Sequence, residues 1–217
     1  MKTTFNTLAP LPDALKRPCT SSSNRRRHIG DVEIERDALL HFNELLEYLD
    51  LHRMPLECDQ VATAARELVD GTHLGRSPRC IQQRMRRGAA IDLMGVDPDW
   101  ETRDAAAARI LPIVVGYLRG SATLIPHALP VVGHLDDAIV VEAAWPSLAG
   151  EVEQYLAFCR IRHLEASLRG ETRRHFGFTR EQWHAAAAAE AGWIAHCHRV
   201  AQASYLLGAQ PPRFRVS

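Results

Sequence analysis

The chain has 217 residues, 46% of them apolar and 24% charged, with 26 basic and 26 acidic side chains. That balance is ordinary for a globular protein and excludes a collagen-like, low-complexity or highly charged disordered chain. A formal net charge of zero excludes long-range steering of the whole molecule toward nucleic acid or an anionic membrane. The cysteines Cys19, Cys58, Cys80, Cys159 and Cys197 are odd in number and scattered, with no CxxC pair. That argues against a disulfide framework or a cysteine-rich zinc site and for a reducing compartment. No apolar run near the start suits a signal peptide, so a cytoplasmic location is expected.

Residues 1–29 hold Pro10, Pro12, Pro18, a Ser21-Ser22-Ser23 run and Arg25-Arg26-Arg27, which predicts a flexible basic tail. Residues 30–96 read as N-terminal helices. The first starts with Asp31 as N-cap and places Ile34, Ala38, Leu39, Phe42, Leu45, Leu46 and Leu49 on one face. A second spans Leu56 to Val69 with Val61, Ala65 and Leu68 inward and Gly71 as its stop. Ser77-Pro78 opens a third, running to Met94, with Ile81, Met85 and Ala89 inward and its arginines mostly outward. Asp97-Pro98 repeats that start signal for a fourth, carrying Trp100, Ala107, Ile110 and Leu111, which Pro112 should kink.

From Ile110 to Trp145 the only formal charges are Arg119, Asp136, Asp137 and Glu142. Prolines and Gly133 interrupt this apolar stretch, which predicts short helices joined by tight turns at the centre of the fold. No uninterrupted run approaches the roughly 20 residues needed to span a bilayer. Beyond Trp145-Pro146 a long helix is expected from Ser147 to Arg169, ended by Gly170. Thr179, with Gln182 three residues on and Phe178 facing Trp183, opens the last helix. Strand signatures are absent. The reading is an all-α protein, an irregular helical bundle of about six to seven helices with a Pro/Gly-broken apolar helical hairpin at its centre. Residues 97–170 form its core, and 171–217 a C-terminal helix and short tail.

Asp136 and Asp137 are the first chemical candidates, because adjacent carboxylates can hold a divalent cation. Capping is the competing role. Asp136 falls where an N-cap would, Leu135 can staple to Val140, and Asp137 favours the positive end of a helix. His127 and His134 would complete a transition-metal set with these acids if turns bring them together. Cys159 and His163 share a helix face, and His184, His196, Cys197 and His198 cluster late in the chain. Neither group has zinc-site spacing. The run Arg76, Arg79, Arg84, Arg86, Arg87 has no interleaved aromatic residue, so a salt-bridged face is favoured over a phosphate-tracking one. No nucleotide loop, nucleophile elbow or HExxH motif occurs, and no cofactor is expected.

Ile125, Pro126, Pro130, Val131, Gly133, Leu135, Asp136, Asp137, Ala138, Ile139 and Val140 resemble the signature of the YkvA-like family, domain of unknown function 1232. The resemblance covers residues 110–165 and implies a bacterial helical domain with Pro126, Pro130, Gly133, Asp136 and Asp137 as its structural signature. Thr123 and His127 stand where that family usually has acids, which counts against a carboxylate-only metal cluster. The leading functional expectation is a non-enzymatic protein that binds a protein partner, self-association included. The alternatives are a protein peripheral to the inner membrane, using Ile110 to Trp145 on an anionic surface, and a metal-dependent enzyme using Asp136, Asp137, His127 and His134. Nucleic acid is not expected as a partner.

Overall fold

The structure is a computed structural model that describes residues 8–17, 26–71, 77–121, 123–172 and 176–203. It is an all-α bundle. Among the described residues there are six helices: α1 (Arg36–Leu49), α2 (Cys58–Asp70), α3 (Arg79–Val96), α4 (Ala105–Arg119), α5 (Leu135–Leu168) and α6 (Arg180–Ala203). The chain falls into two compact units, Met1–Pro98 with Thr102–Leu156, and Asp99–Glu101 with Ala157–Ser217. Residues 30–96 therefore share one unit with Thr102–Leu156.

In the first unit, the expected flexible tail is ordered wherever it is described. Asp13–Lys16 form a 3-10 turn that buries Leu11, Ala14 and Leu15 and packs on α2. Arg25 and the serine run lie outside the described residues. Asp31 does not cap α1. His28–Ile29 (β1) and Val32–Glu33 (β2) pair as an antiparallel hairpin across Gly30-Asp31. Gly30 has φ +60°, and glycine at the first central position suits a type II′ hairpin turn. A Gly-Asp dipeptide between apolar residues was the signal for it.

The helix α1 then starts after Glu35 and buries Leu39, Phe42, Leu46 and Leu49. The start of α2 carries a full capping box, in which Glu57 and Gln60 serve each other's backbone N–H groups. In α3 the buried face is Cys80, Ile81, Arg84, Gly88, Ile91 and Met94. It is rotated from the expected one, with Ala89 exposed and Met85 only half-buried. Asp97-Pro98 does not open α4. Asp104 does, its carboxylate accepting from the Ala107 N–H at 2.8 Å. Pro112 lies inside α4 on its exposed side, where the carbonyl left without an amide partner can meet water.

Much of the apolar stretch from Ile110 to Trp145 is core. Ile110, Val114, Ile125, Leu135 and the whole run Ala138–Val141 are buried. It contains one break, between α4 and α5. Trp145-Pro146 does not break the chain again, because Pro146 sits exposed within the continuous α5. No described helix is long and apolar enough to cross a membrane.

In the second unit, Trp100, Phe158, Phe178 and Trp183 form an aromatic cluster with ring centroids 5.1–6.5 Å apart. Arg162 and Arg180 lie over its rings. Gly170, at φ +69°, ends α5. Its N–H donates to the Ser167 carbonyl and that of Glu171 to the Ala166 carbonyl, which is a Schellman closure. The Thr179–Gln182 capping box forms as expected, with bonds of 2.8 and 3.3 Å.

Candidate metal centre

The connection from Pro126 to His134 is two stacked turns. The Leu129 N–H donates to the Pro126 carbonyl and the Gly133 N–H to the Leu129 carbonyl, both at 3.0 Å. Gly133 is required here by close approach. A Cβ on it would lie 2.5 Å from the His127 carbonyl oxygen and 2.7 Å from that of Leu129. Val131 holds φ 70°, a left-handed conformation that a β-branched residue adopts only under strain. These features fold the segment back until the rings of His127 and His134 lie 4.5 Å apart.

Both rings meet one carboxylate. The His134 Nδ1 is 2.7 Å and the His127 Nε2 3.1 Å from Asp137 Oδ2. The Asp137 side chain is 1% exposed, while the two imidazoles are 46% and 38% exposed. The second oxygen, Oδ1, is buried without a hydrogen-bond partner. Ligand atoms of all three residues lie within 4.8 Å of one another. Bonds of about 2.1 Å from an ion to nitrogen and oxygen place neighbouring ligands about 3 Å apart, close to the 2.7 and 3.1 Å that separate each imidazole nitrogen from Asp137 Oδ2. Without an ion, both ring nitrogens sit at hydrogen-bond distance from Asp137 Oδ2. Metal would take those two positions in place of protons.

Asp136 is not part of this set. Its Oδ2 accepts from the Tyr117 hydroxyl at 2.8 Å and the Ile125 N–H at 3.1 Å. The same tyrosine oxygen accepts from the Leu124 N–H at 3.3 Å. Burial raises the Asp136 carboxyl above its ordinary value, the Tyr117 and Ile125 hydrogen bonds oppose this, and the Asp137 charge adds to it. Burial, then the Asp136 charge and hydrogen bond, push the Tyr117 hydroxyl well above the usual phenol range. The N-cap expectation for Asp136 is corrected here, while Asp137 does stand at the positive end of a helix. The helix α5 begins at Leu135, so both acids lie inside its first turn and the Leu135–Val140 staple does not arise.

One polar residue went unread in the sequence, and another was read as an ion-pairing arginine without its burial being foreseen. Tyr117 is the lone hydroxyl within the apolar half of α4, and Arg84 lies on the buried stripe of α3. Arg84 is 2% exposed and donates to Glu142 at 3.0 Å and to the carbonyls of Ala9 and Cys80. A charge at the i+3 position from Ile81, on the apolar face, was the available signal. The remaining histidine and cysteine candidates do not assemble. Among the described residues the His127–His134–Asp137 set is the one group of three potential ligands. The described cysteines are free thiols.

No protein-family model, no curated protein and no solved structure matches the chain.

Proposed function

We propose that this protein binds a divalent transition-metal ion through His127, His134 and Asp137. The carrying observation is the convergence of two half-exposed imidazoles on a fully buried carboxylate that has a spare oxygen. Two imidazoles and one carboxylate suit zinc, iron, cobalt or manganese better than magnesium or calcium. Three protein ligands with solvent on the histidine side leave coordination positions for water. That is the arrangement of reactive metal sites rather than closed structural ones. Such an ion would supply Lewis acidity, and these side chains would orient it. Asp136 holds the backbone behind the site through Tyr117 and Ile125. The helix-initial acids and the Gly133 turn also support reading this segment as a YkvA-like element.

The test is titration of chelator-treated protein with Zn(II) and Co(II), followed by calorimetry and the visible absorption of bound Co(II). One ion per chain, lost in the His127→Ala/His134→Ala variant, is the expected result. Equal uptake by wild type and variant would discard the site.

Partner binding is retained as a second reading because of α6. Trp193 is 67% exposed, with Ile194 and Val200 exposed beside it on an otherwise polar and alanine-rich helix. Apolar side chains grouped on a solvated helix suit self-association. If so, Trp193→Glu should shift the sedimentation coefficient to that of a monomer, while a monomeric wild type removes the reading.

A further inference from the structure

The arginine run of α3 forms the expected intramolecular ion pair at Arg84, which is buried and meets Glu142 at 3.0 Å. Arg79 and Arg86 are exposed and form no ion pair among the described residues. They lie seven residues apart, two turns along one face of the helix. The aromatic residue missing from the run arrives from α5, where Trp145 lies under Arg87 with the guanidinium carbon 4.0 Å from the ring centroid.

These residues line a cleft of about 680 Å³ with Gln82 and Leu156, and no acid is in its lining. The volume falls within the usual range for small-molecule sites. Glu142, whose charge reaches Arg87, is already engaged by Arg84. Val152, fully buried, and Leu156, 41% exposed, supply an apolar floor. A larger cleft, about 770 Å³, lies by Arg53. It mixes cations with Glu57 and Glu142 and so has no single charge preference.

We infer that the Arg79–Arg86–Arg87–Trp145 cleft binds a small organic phosphate, with Arg79 and Arg86 on the phosphoryl group, Arg87 held on the Trp145 ring beside it, and the apolar body against Leu156 and the part of Trp145 that Arg87 leaves open. Guanidinium forks match phosphoryl oxygens in geometry and hydrogen-bond number. Three cations in a lining without an acid favour a dianion over a monocarboxylate. The apolar floor favours an organic ester over free phosphate. This site shares no residue with the metal centre and stands or falls independently of it.

The experiment is calorimetric titration of the full chain with phenyl phosphate, phenol and inorganic phosphate at low salt, with circular dichroism to confirm the fold of each variant. Phenyl phosphate should bind more tightly than either part. Arg79→Gln and Arg86→Gln should each weaken it about tenfold, the size of one charge-assisted hydrogen bond. Trp145→Leu should weaken phenyl phosphate while leaving inorganic phosphate unchanged. Absence of phenyl phosphate binding at millimolar concentration, or binding unaffected in the folded Arg79→Gln/Arg86→Gln variant, would overturn the proposal. Much tighter binding of a single-stranded oligonucleotide, with a steep salt dependence, would replace the small-molecule reading with a nucleic-acid one.

Discussion

Asp136 and Asp137 are neighbours in the first turn of α5, equally buried, and they end in opposite chemical situations. Asp136 faces α4 and the backbone of the preceding loop, where a tyrosine hydroxyl and an amide N–H occupy one oxygen. Asp137 faces the turn, where two exposed imidazoles are its partners. Successive helix positions are rotated by about 100°, so adjacent carboxylates reach different neighbours. One acid thus belongs to the scaffold and the other to a solvent-accessible cluster. Sequence adjacency suggested a shared role that the helix geometry prevents.

The scaffold side should show the largest effect. Asp136→Ala leaves the Tyr117 hydroxyl and the Ile125 N–H without their acceptor. Each orphaned buried donor costs about 1–3 kcal/mol, so a loss of about 3 kcal/mol is expected in urea unfolding. Asp136→Asn keeps a carbonyl oxygen for both donors but puts its NH2 where Oδ1 is buried without a partner, so it should lose less than Asp136→Ala, about 1–2 kcal/mol. Equal losses in the two variants would mean that the charge, not the acceptor, holds this junction.

On the cluster side, stability should depend on metal. His127→Ala/His134→Ala removes both partners of the buried Asp137 carboxylate, so about 2 kcal/mol should be lost without metal, less than for Asp136→Ala because water can enter the half-exposed space the rings leave. Zinc at about one hundred times its dissociation constant should stabilise wild type by about 2.7 kcal/mol and leave this variant unchanged. Protons compete with metal for imidazole nitrogen, so the zinc-induced shift in melting temperature should shrink on acidification. A shift of the same size in the variant would move the ion elsewhere.

What could be read in the sequence was whatever depends on local chemistry. The Thr179–Gln182 capping box, the Gly170 stop and the apolar periodicity of α1 and α2 all act within a few residues, and the structure contains them. His127 and His134 were legible as ligand types, and their convergence depended on turns that the close approaches at Gly133 explain only in three dimensions. The Pro146 break failed because an exposed proline inside a well-packed helix can be carried by the burial of its neighbours, here Ala144 and Leu148. Tyr117 escaped notice, and the burial of Arg84 with it, because their partners, Asp136 and Glu142, come from other elements. The pairing of Trp145 with α3 is long-range for the same reason.

A smaller effect separates the turn from the scaffold behind it. Val131 at φ 70° stores strain of about 1–3 kcal/mol. Val131→Gly relieves it, but glycine adds about 0.5–1 kcal/mol of chain entropy to the unfolded state. A net gain of about 1 kcal/mol in urea unfolding is expected. If zinc affinity falls as stability rises, the strain is what holds the two imidazoles on Asp137. Unchanged affinity would make it incidental.

The subtlest prediction concerns the Asp136 charge itself, measured in the presence of chelator so that Asp137 carries no ion. A carboxyl raised by burial keeps its proton in the folded state at a pH where the unfolded chain has released it. The unfolded state then binds fewer protons, so stability falls as pH rises. The contribution is fully present below the ordinary aspartate value and is lost as pH climbs through the raised folded value. Asp136→Asn carries no such titration. The wild type should therefore lose ground to it across that window and run parallel above it. A gap that moves in the wild type's favour with rising pH would show that the Tyr117 and Ile125 hydrogen bonds outweigh burial. Asp136 would then be stabilised as an anion by those two donors, and its contrast with Asp137 would lie in which groups meet each carboxylate.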